Sequence, residues 1–195
     1  LGLKKLISTS YAIESKKIKL NWQPTLFEMM SPQFNLDKTK VKGKIFILDK
    51  DNNSDGKIDI DDLQWEYMEG DGDFRSEEVK RLRDEADIII TNPPFSLFRE
   101  FLAWIFEKRK KFLIIGNMNC ITYKEVFPLI KNNELWLGNG FTKGNAYFKV
   151  MREDIREYSS SFYDANTGLV KFGNVRWFTN LDHGKRHEEL SLMTM

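Results

Sequence analysis

The spacing of apolar and polar positions changes several times between residues 76 and 115, and each change predicts a boundary. Ser76 followed by Glu77 and Glu78 has the form of a helix N-cap with an acidic first turn, and Val79, Leu82 and Ala86 then recur at helical spacing. This predicts a helix over 77–85. Residues 87–91, Asp-Ile-Ile-Ile-Thr, make a continuous apolar run of the kind buried on both faces of a parallel sheet. The run stops at Asn92-Pro93-Pro94, because proline lacks the N–H that a strand ladder needs. Ser96 can cap a second helix with Phe98, Leu102, Ile105 and Phe106 as its apolar face. Lys108-Arg109-Lys110-Lys111 then close its last turn, where cations complement the macrodipole. A strand over 112–115 follows directly.

Elsewhere the pattern is weaker. Residues 6–11 and 44–48 are short runs enriched in Ile and Phe and predict strands, as do 134–137 and 146–151, while 123–131 predicts a helix. Residues 12–43 carry no strong period. The Asp, Asn and Gly content of 49–62 predicts a loop or a metal loop. Strand, helix and strand in alternation predict a doubly wound α/β sheet with right-handed crossovers.

Length and composition agree with one globular domain: 195 residues, 41% of them hydrophobic, can bury a core. Thirty basic against 29 acidic residues leave a net charge of +1, so no global field draws the chain to a polyanion, and any such ligand must meet a local patch. One cysteine, Cys120, excludes an internal disulfide and predicts a buried thiol in a reducing compartment, the cytoplasm. The longest apolar runs, 86–90 and 112–115, fall far short of the roughly 20 residues that span a bilayer. The chain begins at Leu1 and runs straight into an apolar segment, which predicts a fragment.

Asn92-Pro93-Pro94-Phe95 carries the chemistry. An open α/β sheet binds ligands outside the carboxyl ends of its strands, where this tetrapeptide is expected. An exocyclic amine on a base is a poor nucleophile, since its lone pair is delocalised into the ring. The Asn92 side-chain oxygen and the Pro93 carbonyl can each accept one N–H of such an amine and leave the lone pair aimed at an electrophilic methyl group. Two prolines fix the backbone that presents these oxygens, and Phe95 offers a face for the planar substrate.

Thr91 to Glu100 resembles motif IV of amino-methyltransferases that use S-adenosylmethionine, and is most similar to the EcoRI-type adenine-specific DNA methyltransferases. Residues 70–77, 111–117 and 174–183 extend that resemblance over most of the chain. It implies a Rossmann-like class I methyltransferase sheet with helices on both faces, with a catalytic core over 1–151 and a carboxyl-terminal extension over 152–195 that contacts DNA. The implied reaction is transfer of a methyl group to N6 of an adenine flipped from double-stranded DNA, as the modification half of a bacterial restriction system. The implied catalytic residues are Asn92, Pro93, Pro94 and Phe95. Asp73 and Phe74, in the turn after the third strand, would join Asn92 in meeting the cofactor. The family's glycine-containing loop has no counterpart before Leu6, so the resemblance implies truncation at the amino end and half of a cofactor site.

The same tetrapeptide also suits methylation of glutamine N5 in proteins or guanine N2 in ribosomal RNA, and a catalytically silent module binding calcium or a partner is a third reading. The calcium expectation rests on 51–62, which follows a calcium-loop template with Asp51, Asn53, Asp55, the Lys57 carbonyl, Asp59 and Asp62 as structural ligands. His183 and His187 have a spacing used in zinc sites but lack a third ligand, and fit a polar surface near nucleic acid with Lys185 and Arg186. Asn139, Lys143, Asn145, Arg176 and Trp177 are further candidates for DNA contact.

Overall fold

Two short helices begin where polar side chains satisfy the backbone N–H groups that a helix start leaves unpaired. Thr25 and Glu28 form a reciprocal capping box for α1 (Leu26–Met29), and the Asn35 side chain accepts from Lys38 N to start α2 (Leu36–Val41). Neither helix is expected from the apolar pattern of 12–43. The computed structural model describes residues 3–15, 24–138, 145–149, 163–164 and 166–188. They fall into two compact units, Leu1–Asp84 and Glu85–Met195, a division that differs from the expected one at residue 151.

In the first unit, β1 (Leu6–Ser10), β2 (Lys44–Leu48) and β3 (Gln64–Tyr67) form an antiparallel sheet in that order. In β3, alternation buries Trp65, whose indole N–H donates to Ser31 Oγ at 2.9 Å. Lys44 and Glu28 are buried and ion-paired at 2.5 Å, with the Lys44 ammonium 5.3 Å from the Trp65 ring centre. The helix α3 (Glu77–Glu85) follows as expected, and Ser76 Oγ accepts from Val79 N at 3.3 Å as its N-cap.

The second unit is organised by four strands in the order β4 (Ile88–Thr91), β5 (Lys111–Asn117), β10 (Val175–Thr179) and β6 (Trp136–Leu137). The strands β4 and β5 are parallel, with Thr91 opposite Ile114, and are joined through α4 (Phe98–Phe106). The strand β10 runs antiparallel to both of its neighbours. The sheet is thus mixed, and the segment expected as an extension supplies a strand inside it. Asn180 ties the far end of this pairing: its Oδ1 accepts from Phe112 N at 2.9 Å, and its amide donates to Lys110 O at 3.0 Å. A separate antiparallel sheet holds β7 (Asn145–Lys149), β9 (Leu169–Gly173) and β8 (Tyr163–Asp164). Val150 and Met151 of the expected 146–151 strand lie outside the described residues.

The core of this unit comes from α4 and β5. Phe98, Leu102 and Ile105 are buried as predicted, joined by Phe101 and Trp104, and pack with Phe112, Ile114 and Phe178. Three expectations are corrected. The N-cap of α4 is Leu97 without a side-chain cap bond, because Ser96 sits inside a 3-10 turn over Phe95–Leu97. The basic cluster lies beyond the helix: α4 ends at Phe106, Arg109 turns the chain at φ 50°, and Lys111 already belongs to β5. The run 87–91 is not buried on both faces. The strand β4 is the outer one of the described sheet, and Ile88 and Ile90, on one face, are 44% and 67% exposed.

The predicted helix 123–131 reduces to α5 (Phe127–Lys131), with proline in its first turn, preceded by a 3-10 turn over Met118–Thr122. Cys120 in that turn is a buried free thiol, and burial pushes its pKa up.

Candidate active site

Parallel pairing sends β4 and β5 in one direction, so their carboxyl ends lie on the same edge of the sheet. Asn92-Pro93-Pro94 leaves that edge and enters the 3-10 turn, where Pro94 O accepts from Leu97 N at 2.9 Å. Pro93 is buried and anchors the turn, while Asn92 is exposed and Phe95 is 45% exposed. No described residue donates to the Asn92 side chain. Its amide oxygen is therefore open to an incoming donor, beside a half-open aromatic ring on a backbone stiffened by two prolines.

The turn is held from behind by an aromatic lock. The Phe98 ring meets that of Phe178 edge-on, with centroids 5.1 Å apart, and both lie over Gly116 of β5. A Cβ at Gly116 would press into the Phe98 ring and approach Phe178 Cε2 to 2.9 Å. Gly116→Val is accordingly expected to lower the stability of the chain by about 1–3 kcal/mol, the scale for overpacking a core. Urea unfolding checks this, and a midpoint equal to wild type would show that the rings are not locked. Arg99, one residue beyond Phe98, stacks its guanidinium 5.5 Å from the Tyr123 ring centre and lies 3.7 Å from Glu125.

Asn117, at the end of β5, is not singled out by the sequence, and it is joined by Asn119 and Asn174. Asn117 Oδ1 accepts from Asn119 N at 2.9 Å and from the Asn174 amide at 3.1 Å, so these amides sit on the edge that carries Asn92. Scattered Asn residues give no sequence signal of this kind; only the register of β5 and β10 brings them together. The basic cluster 108–111 runs into the start of β5 and so marks the opposite edge of the sheet from the tetrapeptide.

Asp73 and Phe74 lie in the first unit, in the turn between β3 and α3. Gly72 gives that turn its shape at φ 86°, with a Cβ there only 2.8 Å from Ser10 O. Asp73 holds Arg75 through three N–H bonds, from N at 2.8 Å and Nε at 2.9 Å to Oδ1 and from Nη2 at 2.6 Å to Oδ2. These bonds keep its carboxyl below the usual range against the opposing effect of burial. One acceptor position on Oδ2 remains for a ligand amine. Phe74 is only 4% exposed, so its ring offers no open face for stacking and the expectation for it is corrected.

The calcium expectation is not upheld either. Among the described residues no group of three or more His, Cys, Asp or Glu side chains is placed to hold a metal ion. The loop oxygens turn inward on their own backbone: Asp51 accepts from Ser54 N and Gly56 N, Asn53 from Asp55 N, and Asp55 from Lys57 N. Asp59 accepts from Asp61 N, and Asp62 accepts from Asn52 N, Asn53 N and Asp59 N. The template is matched by residues whose preference for side-chain turns explains the loop. Nor do the two histidines converge: His183 Nε2 lies 3.0 Å from Leu137 O, and His187 Nε2 lies 2.7 Å from Asp182. Arg176 and Trp177 lie in β10, half-exposed. Asn139 and Lys143 lie outside the described residues, and Asn145 begins β7. No helix among the described residues is long and apolar enough to cross a membrane.

Fold and site together define a mixed α/β chain that presents an amine-accepting turn at the carboxyl end of a parallel strand. The family described as "Adenine-specific methyltransferase EcoRI" matches residues 1–195. The chain belongs to this EcoRI-type adenine methyltransferase family. It is 39% identical over 193 residues to the Type II methyltransferase M.EcoRI of Escherichia coli, covering 98% of this chain and 54% of that protein. It is 36% identical over 124 residues to the Type II methyltransferase M.MgeORF184P of Mycoplasma genitalium, covering 62% of this chain and 38% of the relative. A third relative, Type II methyltransferase M.MpnI of Mycoplasma pneumoniae, is 35% identical over 133 residues, covering 66% and 40%. The chain thus spans about half the length, or less, of these curated relatives. No solved structure matches it.

Proposed function

We propose that the protein carrying these residues transfers a methyl group from S-adenosylmethionine to N6 of adenine in double-stranded DNA, acting in the bacterial cytoplasm as the modification half of a restriction system. The observation that carries this reading is the exposed, undonated Asn92 side chain at the shared carboxyl edge of β4 and β5. Family membership and the names of the relatives support the substrate class. The fold we infer is a Rossmann-like class I sheet, supported by the β4–α4–β5 unit; an antiparallel strand within an otherwise parallel sheet is common in doubly wound proteins.

The cofactor supplies an electrophilic methyl group on a sulfonium centre. Asn92, at the carboxyl edge of β4, is the residue of the second unit that we assign to it. The chain's own contribution is positioning. Asn92 Oδ1 and the Pro93 carbonyl each hold one amine N–H, which leaves the nitrogen lone pair directed at the methyl group that the cofactor would supply. The nitrogen then sheds one proton, which solvent takes at the exposed turn. The target amine lies inside the duplex, so the adenine must leave the stack, at a cost of a few kcal/mol. Phe95 receives it.

The test is transfer of labelled methyl from S-adenosylmethionine to DNA, ribosomal RNA and a protein substrate in parallel, with the product base identified. Label in N6-methyladenine supports the reading; label only in guanine N2 of RNA or in glutamine overturns it. Phe95→Ala is expected to weaken DNA substrate holding by about 1–3 kcal/mol, the worth of one base stacked on an aromatic ring. This appears as a raised KM for DNA, and an unchanged KM would remove Phe95 from the base pocket.

A further inference from the structure

One residue separates β9 of the small sheet β7–β9–β8 from β10 of the main sheet of the second unit. The strand β9 ends at Gly173 and β10 begins at Val175, so Asn174 is the whole connection. Its backbone takes φ 62°, its carbonyl accepts from Met118 N at 2.7 Å, and its amide donates to Asn117 Oδ1 at 3.1 Å and to Asn119 Oδ1 at 3.2 Å. Since Asn117 ends β5, the small sheet departs from the edge that carries Asn92.

Its register sorts the side chains onto two faces. One face holds Phe148, Val170 and Phe172, where Val170 is buried and the two rings meet edge-on at 5.5 Å. The other holds Tyr147 directly opposite Lys171, with Lys149 two residues along β7. Tyr147 is 58% exposed, Lys149 is exposed and Lys171 half-exposed. Among the described residues Asp164 of β8 is the acid on this face, and it closes its own turn by accepting from Asn166 N at 2.9 Å and Thr167 Oγ1 at 3.0 Å. An open aromatic ring flanked by two ammonium groups matches a polyanion that also presents planar bases. With a net charge of only +1 on the chain, such a local patch is what a polyanion can meet.

We propose that this face, with Tyr147, Lys149 and Lys171, contacts the DNA backbone beside the Asn92 turn. The two ammonium groups pair with phosphates, and the Tyr147 ring lies against a sugar or base. The inference rests on the DNA-methyltransferase reading above.

The experiment compares the wild-type chain, the Lys149→Gln/Lys171→Gln variant and Tyr147→Ala for binding of a labelled DNA duplex between about 50 and 200 mM salt. The slope of log affinity against log salt should become shallower by about 0.9 for each phosphate that the double variant no longer neutralises, and the weakening should be uniform across DNA sequences. Tyr147→Ala should weaken binding with the slope unchanged. Melting temperatures should stay close to the wild-type value, because Tyr147 and Lys149 are exposed and Lys171 is half-exposed. A double variant with the wild-type slope and affinity overturns the proposal, as does tighter binding of an RNA duplex of the same sequence. A wild-type chain that methylates DNA while the variants match it in binding refutes this surface alone; a wild type that neither binds nor methylates DNA removes the functional reading and this inference together.

Discussion

Asn92→Ala is expected to lower the methyl-transfer rate on the order of 10²-fold or more, the scale for deleting one preorganised hydrogen-bonding group from a transition state. The Asn92 side chain is exposed and takes no donor from the described protein, so its removal breaks no internal hydrogen bond. Stability should therefore change much less than kcat. Asn92→Asp separates two roles. It keeps an acceptor but adds charge, and should retain more rate than Ala if acceptance of the amine N–H is what counts. Single-turnover methylation under saturating cofactor and DNA reads these rates directly. An Asn92→Ala chain within about 3-fold of wild type would mean that the tetrapeptide only ends the strand.

The second large effect is on folding. Glu28→Gln removes the carboxylate paired with the buried Lys44 ammonium, and is expected to destabilise by about 3–5 kcal/mol, the cost of breaking a buried ion pair from one side. That is a large share of the roughly 5–15 kcal/mol typical of a folded domain. Replacing both residues with apolar ones of similar size, Glu28→Leu with Lys44→Met, should restore most of the stability, since no charge then stays buried. The pair also sets a pH dependence. Burial raises the Glu28 pKa, but the Lys44 ammonium and the Thr25 backbone and hydroxyl lower it by more, and the net direction is down. A depressed carboxyl contributes stability that is present above its unfolded value, about 4.3, and is lost as pH falls through the folded one. Urea unfolding at neutral pH and again below about pH 4 should show the gap between wild type and Glu28→Gln narrowing on acidification. A gap that widens would contradict the pairing.

Legibility followed how much of the folding information is local. The helix 77–85 and the run into Asn92 could be read because a cap, an acidic turn and a periodic apolar face all lie within a few residues. In the same way Phe98, Leu102 and Ile105 announced a buried helix face. The segment 12–43 hid two helices because each is too short to show a period; their signal was polar, the Thr25-to-Glu28 spacing of a capping box and Asn35 ahead of Leu36. The strand β3 was equally hidden, although Trp65 and Tyr67 alternate with Gln64 and Glu66. The antiparallel direction of β10 was not legible, because it depends on where the chain returns rather than on what the strand contains. The calcium template misled for a physical reason: Asp and Asn at alternate positions serve a self-bonded loop as well as they serve a cation.

Asn174 is too short a joint to act as a swivel. A single left-handed residue, stapled by three hydrogen bonds to the end of β5 and the turn beyond it, fixes the direction in which β9 meets β10. A load taken on the face of Tyr147 would pass along β9 through that staple to β10 and its neighbour β5, whose far side bears β4 and the turn at Asn92.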